Sequence, residues 1–316
     1  MHMRPVTLLA AGGTIAMAAN RRSAATPALD AAALVAAAGL EVAAARSVRS
    51  LPGVHLSLDD ALAIAREAVA EAGGGNGVVV TTGTDTLEEL GVLCDALNDA
   101  EAPIVLTGAI RPATSAGADG PANLVDAVAV AGGAPGGTYV VFAGEIHAAR
   151  EARKTDSTSP RAFSSPRTGP LGYAGEGRFD LHARAPRPSA LTVARLDFAV
   201  PIVPTWLGDD GALLRAAFGL GPDALVLVTL GAGHVSPSVL RELAAAPCPV
   251  AVCVRPERGE LLHATYGFEG AEGDVRATGA LPAAHLSPQA ARVLLLAGLG
   301  AGLRGADLRV VTERGG

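Results

Sequence analysis

Residues 78–106, VVVTTGTDTLEELGVLCDALNDAEAPIVL, read in succession as strand, turn, helix and strand. Val78–Val80 is an unbroken apolar run, as a strand buried on both faces requires; Thr86–Leu97 is the helix and Ile104–Leu106 the next strand. The same alternation extends outward. Val6–Ala10 reads as an earlier strand, and Leu58–Ala72 as a helix with Ser57 as its N-cap and the Gly73–Gly75 turn as its end. Downstream, Asn123–Ala131 reads as a helix and Tyr139–Phe142 as a strand. This order predicts an α/β fold with a doubly wound parallel sheet. The pattern weakens between about Arg178 and Asp197, where LHARAPRPSALTVARLD is rich in Pro and Arg. A larger N-terminal domain over 1–180, an exposed linker over 181–197 and a smaller C-terminal α/β domain over 198–316 are therefore expected. In the second domain Ala224–Thr229 and Val250–Val254 read as strands, and Ser238–Ala246 and Pro288–Leu299 as helices.

Composition narrows the function classes. A chain of 316 residues with a formal charge of −6 carries no basic footprint for nucleic acid. No apolar stretch is long enough to span a membrane, and the opening MHMRPVTLLAAGGTIA has only a short apolar run before its glycine pair, which predicts a cytoplasmic protein. The three cysteines, Cys94, Cys248 and Cys253, lie in apolar surroundings without metal-ligand spacing, so reduced buried thiols are expected. The histidines also lack ligand spacing, and no metal site is predicted. GGTIAM lacks the third glycine of a dinucleotide fingerprint.

Parallel α/β sheets place ligands at the carboxyl ends of their strands, which directs attention to three turns. After the first strand, AAGGTIA (10–16) offers Gly12 and Gly13, where backbone can approach a ligand, and the hydroxyl of Thr14. After Val80, TTGTDTLEE (81–89) places Thr84 and Asp85 at a helix N-terminus, as backbone donors for an anion or simply as a helix cap. After Phe142 the chain delivers Lys154, the one lysine in a sequence whose positive charge otherwise comes from arginine. A guanidinium stays charged at any workable pH, whereas a lysine can become a neutral amine, so Lys154 is either a catalytic base or a structural ion-pair partner. A threonine hydroxyl needs an adjacent base to act as a nucleophile, and a Thr84–Lys154–Asp85 relay would supply one.

With these residues in view, the chain resembles the bacterial-type L-asparaginase (asparaginase/glutaminase) family. AAGGTIA and VTTGTDTLEE (80–89) are similar to its two threonine motifs, and LTGAIRPATSAGADGPANL (106–124) to the segment after its third strand. VVFAGEIHAAREARKTDSTSPRAFSSP (140–166) carries the family lysine, followed by PLGY (170–173). TYGFEG (265–270) and LSPQAARVLLLAGL (286–299) resemble segments of the second domain. The resemblance implies hydrolysis of asparagine to aspartate and ammonia through an acyl-threonine. Thr14 would attack, Thr84, Asp85 and Lys154 would form the second triad, and Asp85 would also hold the substrate's α-amino group. Gly13, Gly83 and Ala109 would contact the substrate. The resemblance implies no cofactor, a small-molecule amide substrate, and a homo-oligomer, dimer or tetramer, whose second domain completes a neighbour's site.

Three departures bear on that expectation. The loop AMAANRRSAATPAL (16–29) lacks the tyrosine the family usually carries there. The family's carboxylate-binding serine is matched by LPGVHLSL (51–58), with Gly53, Val54 or His55 near that position and Ser57 as substitute or as helix cap. In the second domain GAGH (231–234) puts His234 where the family has asparagine, and Glu260, six residues before Tyr266, matches a glutamate contributed across the dimer. The alternatives are a related amidohydrolase acting on glutamine or another amide, and a non-catalytic ligand-binding homologue.

Overall fold

The computed structural model describes residues 3–20 and 23–313, and the chain divides into two compact units, 1–190 and 191–316. In the N-terminal unit the strands are β1 (Val6–Gly12), β2 (Met17–Asn20), β3 (Ser23–Pro27), β4 (Ala44–Leu51), β5 (Gly77–Thr81), β6 (Pro103–Thr107), β7 (Gly137–Phe142), β8 (Glu145–Ala148), β9 (Arg153–Lys154), β10 (Phe163–Ser164), β11 (Gly172–Gly175) and β12 (Arg178–Leu181). Its helices are α1 (Ala31–Ala37), α2 (Leu58–Gly73), α3 (Leu87–Leu97) and α4 (Gly120–Gly133). Eight strands form one sheet in the order β12-β11-β8-β7-β6-β5-β1-β4. β4, β1, β5, β6 and β7 run parallel, and β8, β11 and β12 add an antiparallel edge.

The apolar runs of β1, β5, β6 and β7 are buried throughout. Side chains alternate across a strand, so burial of every position means that both faces are covered. Leu8, Val79, Val105 and Val141 share one core with Leu34 of α1 and Leu124, Ala127 and Val130 of α4. The alternate residues Leu9, Val80, Leu106 and Val140, all fully buried, point to the face where α2 and α3 pack together. From β1 the connectivity first leads to β4 on one side and then to β5 on the other. The carboxyl ends of β1 and β5 therefore flank the point where strand order reverses, the usual crevice for ligands in such sheets.

In the C-terminal unit, β13 (Ile202–Pro204), β14 (Leu225–Thr229), β15 (Val250–Val254) and β16 (Leu281–Pro282) form a four-stranded parallel sheet in that order. It carries α5 (Ala212–Gly219), α6 (Pro237–Ala244), α7 (Glu272–Ala277) and α8 (Pro288–Gly300) around a core of Leu225, Leu227, Val239, Val252 and Val275. The fold class expected from the sequence is the one observed. Among the described residues, no helix is long and apolar enough to cross a membrane.

Two segments differ from expectation. Arg178–Leu181, placed at the head of the Pro/Arg-rich stretch, is β12, paired with β11 from Gly172↔Leu181 to Gly175↔Arg178. Further on, Arg187 donates to the Glu101 carboxylate at 2.9 Å and to the Asp99 carbonyl at 2.9 Å, so this part of the expected linker is tied to the N-terminal unit. In the loop after Thr14, β2 and β3 pair antiparallel, while Arg21 and Arg22 lie outside the described residues. Edge pairing of this kind leaves little compositional trace, because the hydrogen bonds come from backbone that any residue supplies.

Ser57 caps α2 in a full capping box: its hydroxyl accepts from Asp60 N–H at 3.1 Å, and the Asp60 carboxylate accepts from Ser57 N–H at 3.1 Å. The Ser57 hydroxyl and Arg49 hold the Asp60 carboxyl down to about 2. Ser57→Ala is expected to lower stability by about 1 kcal/mol in denaturant titration at neutral pH. Because the Asp60 pKa is depressed, its contribution is present above the ordinary carboxylate range and fades as pH falls towards 2, so the gap between variant and parent narrows there to the part supplied by the Asp60 N–H bond to the hydroxyl.

The three cysteines form no disulfide bond. Burial, reinforced by the Asp95 charge, pushes the Cys94 thiol up to about 12, and burial with Asp223 pushes half-buried Cys248 up to about 11. Neither forms a thiolate nucleophile near neutral pH.

Candidate active site

The turn after β1 is built on glycine. Gly12 and Gly13 have φ of +97° and +82°, in the region that favours glycine, and Gly13 N–H donates to Leu51 O at the end of β4 at 2.9 Å. A single 3-10 turn, Thr14–Ala16, follows, with Ile15 and Ala16 buried and Thr14 half-buried. Ala28 and Leu29 N–H both donate to Ala16 O, closing the β2–β3 pair back onto this turn. Thr14 is thus presented between two buried anchors at the carboxyl end of the sheet.

The turns after β1 and β5 meet backbone to backbone. A Cβ on Gly13 would lie 2.3 Å from Gly83 N, and one on Gly83 would lie 2.6 Å from Gly53 N, in the turn that precedes α2. Three glycines from three loops therefore stack without side chains between them. Their contact puts the residue before Thr14 against the residue before Thr84. Thr86 Oγ1 adds a hydrogen bond to Gly53 O at 3.2 Å.

Thr84, Asp85 and Lys154, about 70 residues apart in sequence, form one hydrogen-bonded group. Lys154 Nζ donates to Thr84 Oγ1 at 2.9 Å and to Asp85 Oδ1 at 2.7 Å. Thr84 is buried, Lys154 is largely covered, and the Asp85 side chain is 58% exposed, which leaves a carboxylate edge open to a ligand. Lys154 reaches this position from β9, a two-residue strand paired with β10 through Phe163↔Lys154. Glu88, in the first turn of α3, accepts the Lys154 backbone N–H at 2.8 Å. Burial pushes the Glu88 carboxyl up, against the opposing pull of the Lys154 N–H and the Arg153 and Lys154 charges. Sequence reasoning left Glu88 unassigned; its only signal was its place within TDTLEE.

The other expected residues fall into different surroundings. Ala109 is fully buried, backbone and side chain alike. The turn that holds it is pinned by Asn123, which donates to Gly108 O at 3.0 Å and accepts from Ala143 N–H at 2.9 Å. Asp119 accepts from Ile110 and Arg111 N–H at 2.9 and 2.8 Å. Ser57 does not fit the substrate-contact expectation: its hydroxyl accepts from Asp60 N–H and donates to the Asp60 carboxylate at 2.7 Å, so it is used in the cap. Val54, in the neighbouring turn, is 64% exposed.

Of the tyrosines, Tyr139 donates to Pro135 O at 3.1 Å within the core, and Tyr173 stacks edge-on with His182. Glu260 and His234 belong to the C-terminal unit. Glu260 is exposed on the loop after β15. His234 meets the rings of Tyr266 and Phe268 edge-on at 5.0 and 5.2 Å, with Nε2 3.3 Å from the buried Glu272 carboxylate. That carboxylate also accepts from the N–H groups of Thr265 and Tyr266, and these backbone bonds hold its pKa down against the effect of burial.

The chain matches known proteins along nearly its whole length. Residues 5–187 match the family model "Asparaginase, N-terminal", and residues 199–311 match "Glutaminase/Asparaginase C-terminal domain". The chain is 36% identical over 284 residues to a probable L-asparaginase of Deinococcus radiodurans, covering 84% of each. It is 34% identical over 244 residues to a probable periplasmic L-asparaginase of Haemophilus influenzae, covering 74% of this chain and 69% of that one. The fold is shared with the thermostable L-asparaginase from Thermococcus kodakarensis, at a TM-score of 0.87 and 23% identity, over 98% of this chain and 97% of the other. Two family models matched in order, together with relatives above 30% identity over most of the chain, make this protein a member of the asparaginase/glutaminase family of amidohydrolases.

Proposed function

We propose that this protein hydrolyses L-asparagine to L-aspartate and ammonia through an acyl-threonine intermediate. The observation that carries the reading is the Lys154 amine bridging Thr84 Oγ1 and Asp85 Oδ1 beside the glycine contact that leads into Thr14. In the neutral form Lys154 takes a proton through the Thr84 hydroxyl as Thr14 Oγ attacks the side-chain amide carbon. The C–N bond breaks, and the departing nitrogen takes that proton as ammonia. Water, deprotonated by the same relay, then attacks the acyl-threonine, releasing the carboxylate and restoring Thr14. The backbone N–H of Thr14 and those of the Gly83–Asp85 turn suit the developing oxyanion, and the exposed edge of Asp85 suits the substrate's α-ammonium.

A related reading concerns the substrate's other end. Exposed Val54 and Ser57, the cap of α2, stand where the family binds the α-carboxylate, which favours an amide without that group as a further substrate. Assembly as a homodimer or homotetramer, with Glu260 and His234 serving a neighbour's site, belongs to the same proposal, as does a cytoplasmic location, in keeping with cysteines that form no disulfide bond.

The test is ammonia release by the purified protein from L-asparagine, L-glutamine and a panel of amides lacking the α-carboxylate. Release from L-asparagine that Thr14→Ala loses by about 10³-fold or more is the expected result. A folded protein silent towards L-asparagine at saturation would sink the asparaginase reading.

A further inference from the structure

A two-residue strand is a weak support for a catalytic group. β9 pairs only with β10, and a lysine side chain has several rotatable bonds, so the position of Nζ depends on how firmly the backbone at residue 154 is held. The support comes from α3. Glu88 and Asp95 are seven residues apart, about two helical turns, and so share one face. Between them lies Gly91, where an added Cβ would sit 3.5 Å from Ala149 Cβ, in ordinary contact with the segment leading to the lysine. Asp95, buried, accepts from Arg150 Nε. Glu88 accepts from Lys154 N–H at 2.8 Å. Arg153 Nη1 folds the intervening chain on itself by donating to Arg150 O at 3.0 Å and Ala152 O at 2.9 Å. The segment 150–154 is thus gripped at both ends by the helix that follows the turn carrying Thr84 and Asp85.

We propose that Glu88 is a positioning residue, which fixes Lys154 at Thr84 and Asp85 by holding its backbone N–H, with Asp95 as the second jaw of the same clamp through Arg150. The proposal rests on the reading of Lys154 as the base. A carboxylate is more than one backbone N–H requires, since an amide oxygen accepts the same bond. The charge also faces Arg153 and Lys154, so the two contributions can be separated by substitution. Glu88→Gln keeps an acceptor at the same reach and removes the charge. Glu88→Ala removes both, and Glu88→Asp keeps the charge one carbon too far away.

The presence of a single lysine makes its placement directly readable. In protein labelled with 13Cε-lysine the side chain gives one NMR signal, independent of turnover. Glu88→Ala is expected to lower kcat for L-asparagine about 10²-fold, the cost of roughly an ångström of misplacement, with KM changed less than about threefold. Its Lys154 signal moves towards that of free lysine. Glu88→Gln restores kcat to within about threefold of the parent and keeps the native-like signal. If the alanine variant fails to fold, the contrast between Gln, which holds the lysine, and Asp, which releases it, makes the same decision. A Glu88→Ala protein with parental kcat and an unmoved lysine signal would overturn the proposal, as would a Gln variant as impaired as the Ala variant with that signal unchanged. Should the parent release no ammonia, the amidohydrolase reading fails by itself, while the lysine signal in the three variants still judges the clamp.

Discussion

Lys154→Arg is expected to lower kcat for L-asparagine by about 10³-fold while KM moves far less, the range expected when a positioned general base is removed. The substitution preserves charge, so Asp85 keeps a cationic partner and the fold has little reason to change. A guanidinium cannot shed its proton near neutral pH and therefore cannot accept one from Thr84. Its planar fork also cannot place a single nitrogen at 2.9 Å from Thr84 Oγ1 and 2.7 Å from Asp85 Oδ1 as the ammonium does. Steady-state ammonia release, together with a melting curve to confirm the fold, checks this. Activity within tenfold of the parent would leave Lys154 as an ion-pair partner of Asp85 and nothing more.

The second large effect is expected at Gly13. Gly13→Ala meets two separate penalties. Its φ of +82° is strained for any residue with a Cβ, costing about 1–3 kcal/mol. The new methyl would also lie 2.3 Å from Gly83 N and 2.5 Å from Gly83 Cα, backbone atoms that cannot swing aside as a side chain can. Either the turn before Thr14 or the turn before Thr84 must move, so loss of detectable turnover is expected along with a clear fall in melting temperature. Gly75→Ala is the control. It has a comparable φ of +92° but open space around the added carbon, so it carries the strain penalty alone. It should lower stability by about 1–3 kcal/mol and leave kcat unaltered. Equal loss of turnover in both variants would mean that strain, rather than the glycine contact between the loops, accounts for the result.

How much of the molecule was legible beforehand follows from where its information resides. The parallel strands were visible because burial on both faces demands continuous apolar runs such as Val78–Val80 and Ile104–Leu106. The helices over 58–73 and 120–133 were visible because their apolar residues recur at helical spacing. The antiparallel edge of β8, β11 and β12 was not: Arg178–Leu181 falls where the pattern weakens, and its last residue opens the expected linker. In that strand exposed and half-covered positions alternate over four residues, too few to stand out from the Pro/Arg-rich chain that follows. Ser57 was named both as cap and as substitute ligand, and only the Asp60 partner showed which function its hydroxyl serves. Glu88 went unassigned, and the contact of Gly53 with Gly83 unforeseen, because both contacts are to backbone, which leaves no complementary residue type to search for.

By itself the sequence determined the α/β class and pointed to three strand-end turns, with Thr14, Thr84, Asp85 and Lys154 as the candidate groups for chemistry. A lone lysine in an arginine-rich chain, and threonines next to glycines after apolar runs, are statements about residue type that need no coordinates. Tertiary structure alone decided that these groups meet. The reversal of strand order at β1 brings the ends of β1 and β5 together, Gly13 and Gly83 let the two turns touch, and the clamp on α3 delivers an amine from 70 residues away to within 3 Å of Thr84. Local pattern records what each segment buries, whereas convergence depends on backbone contacts between distant segments that no local spacing encodes.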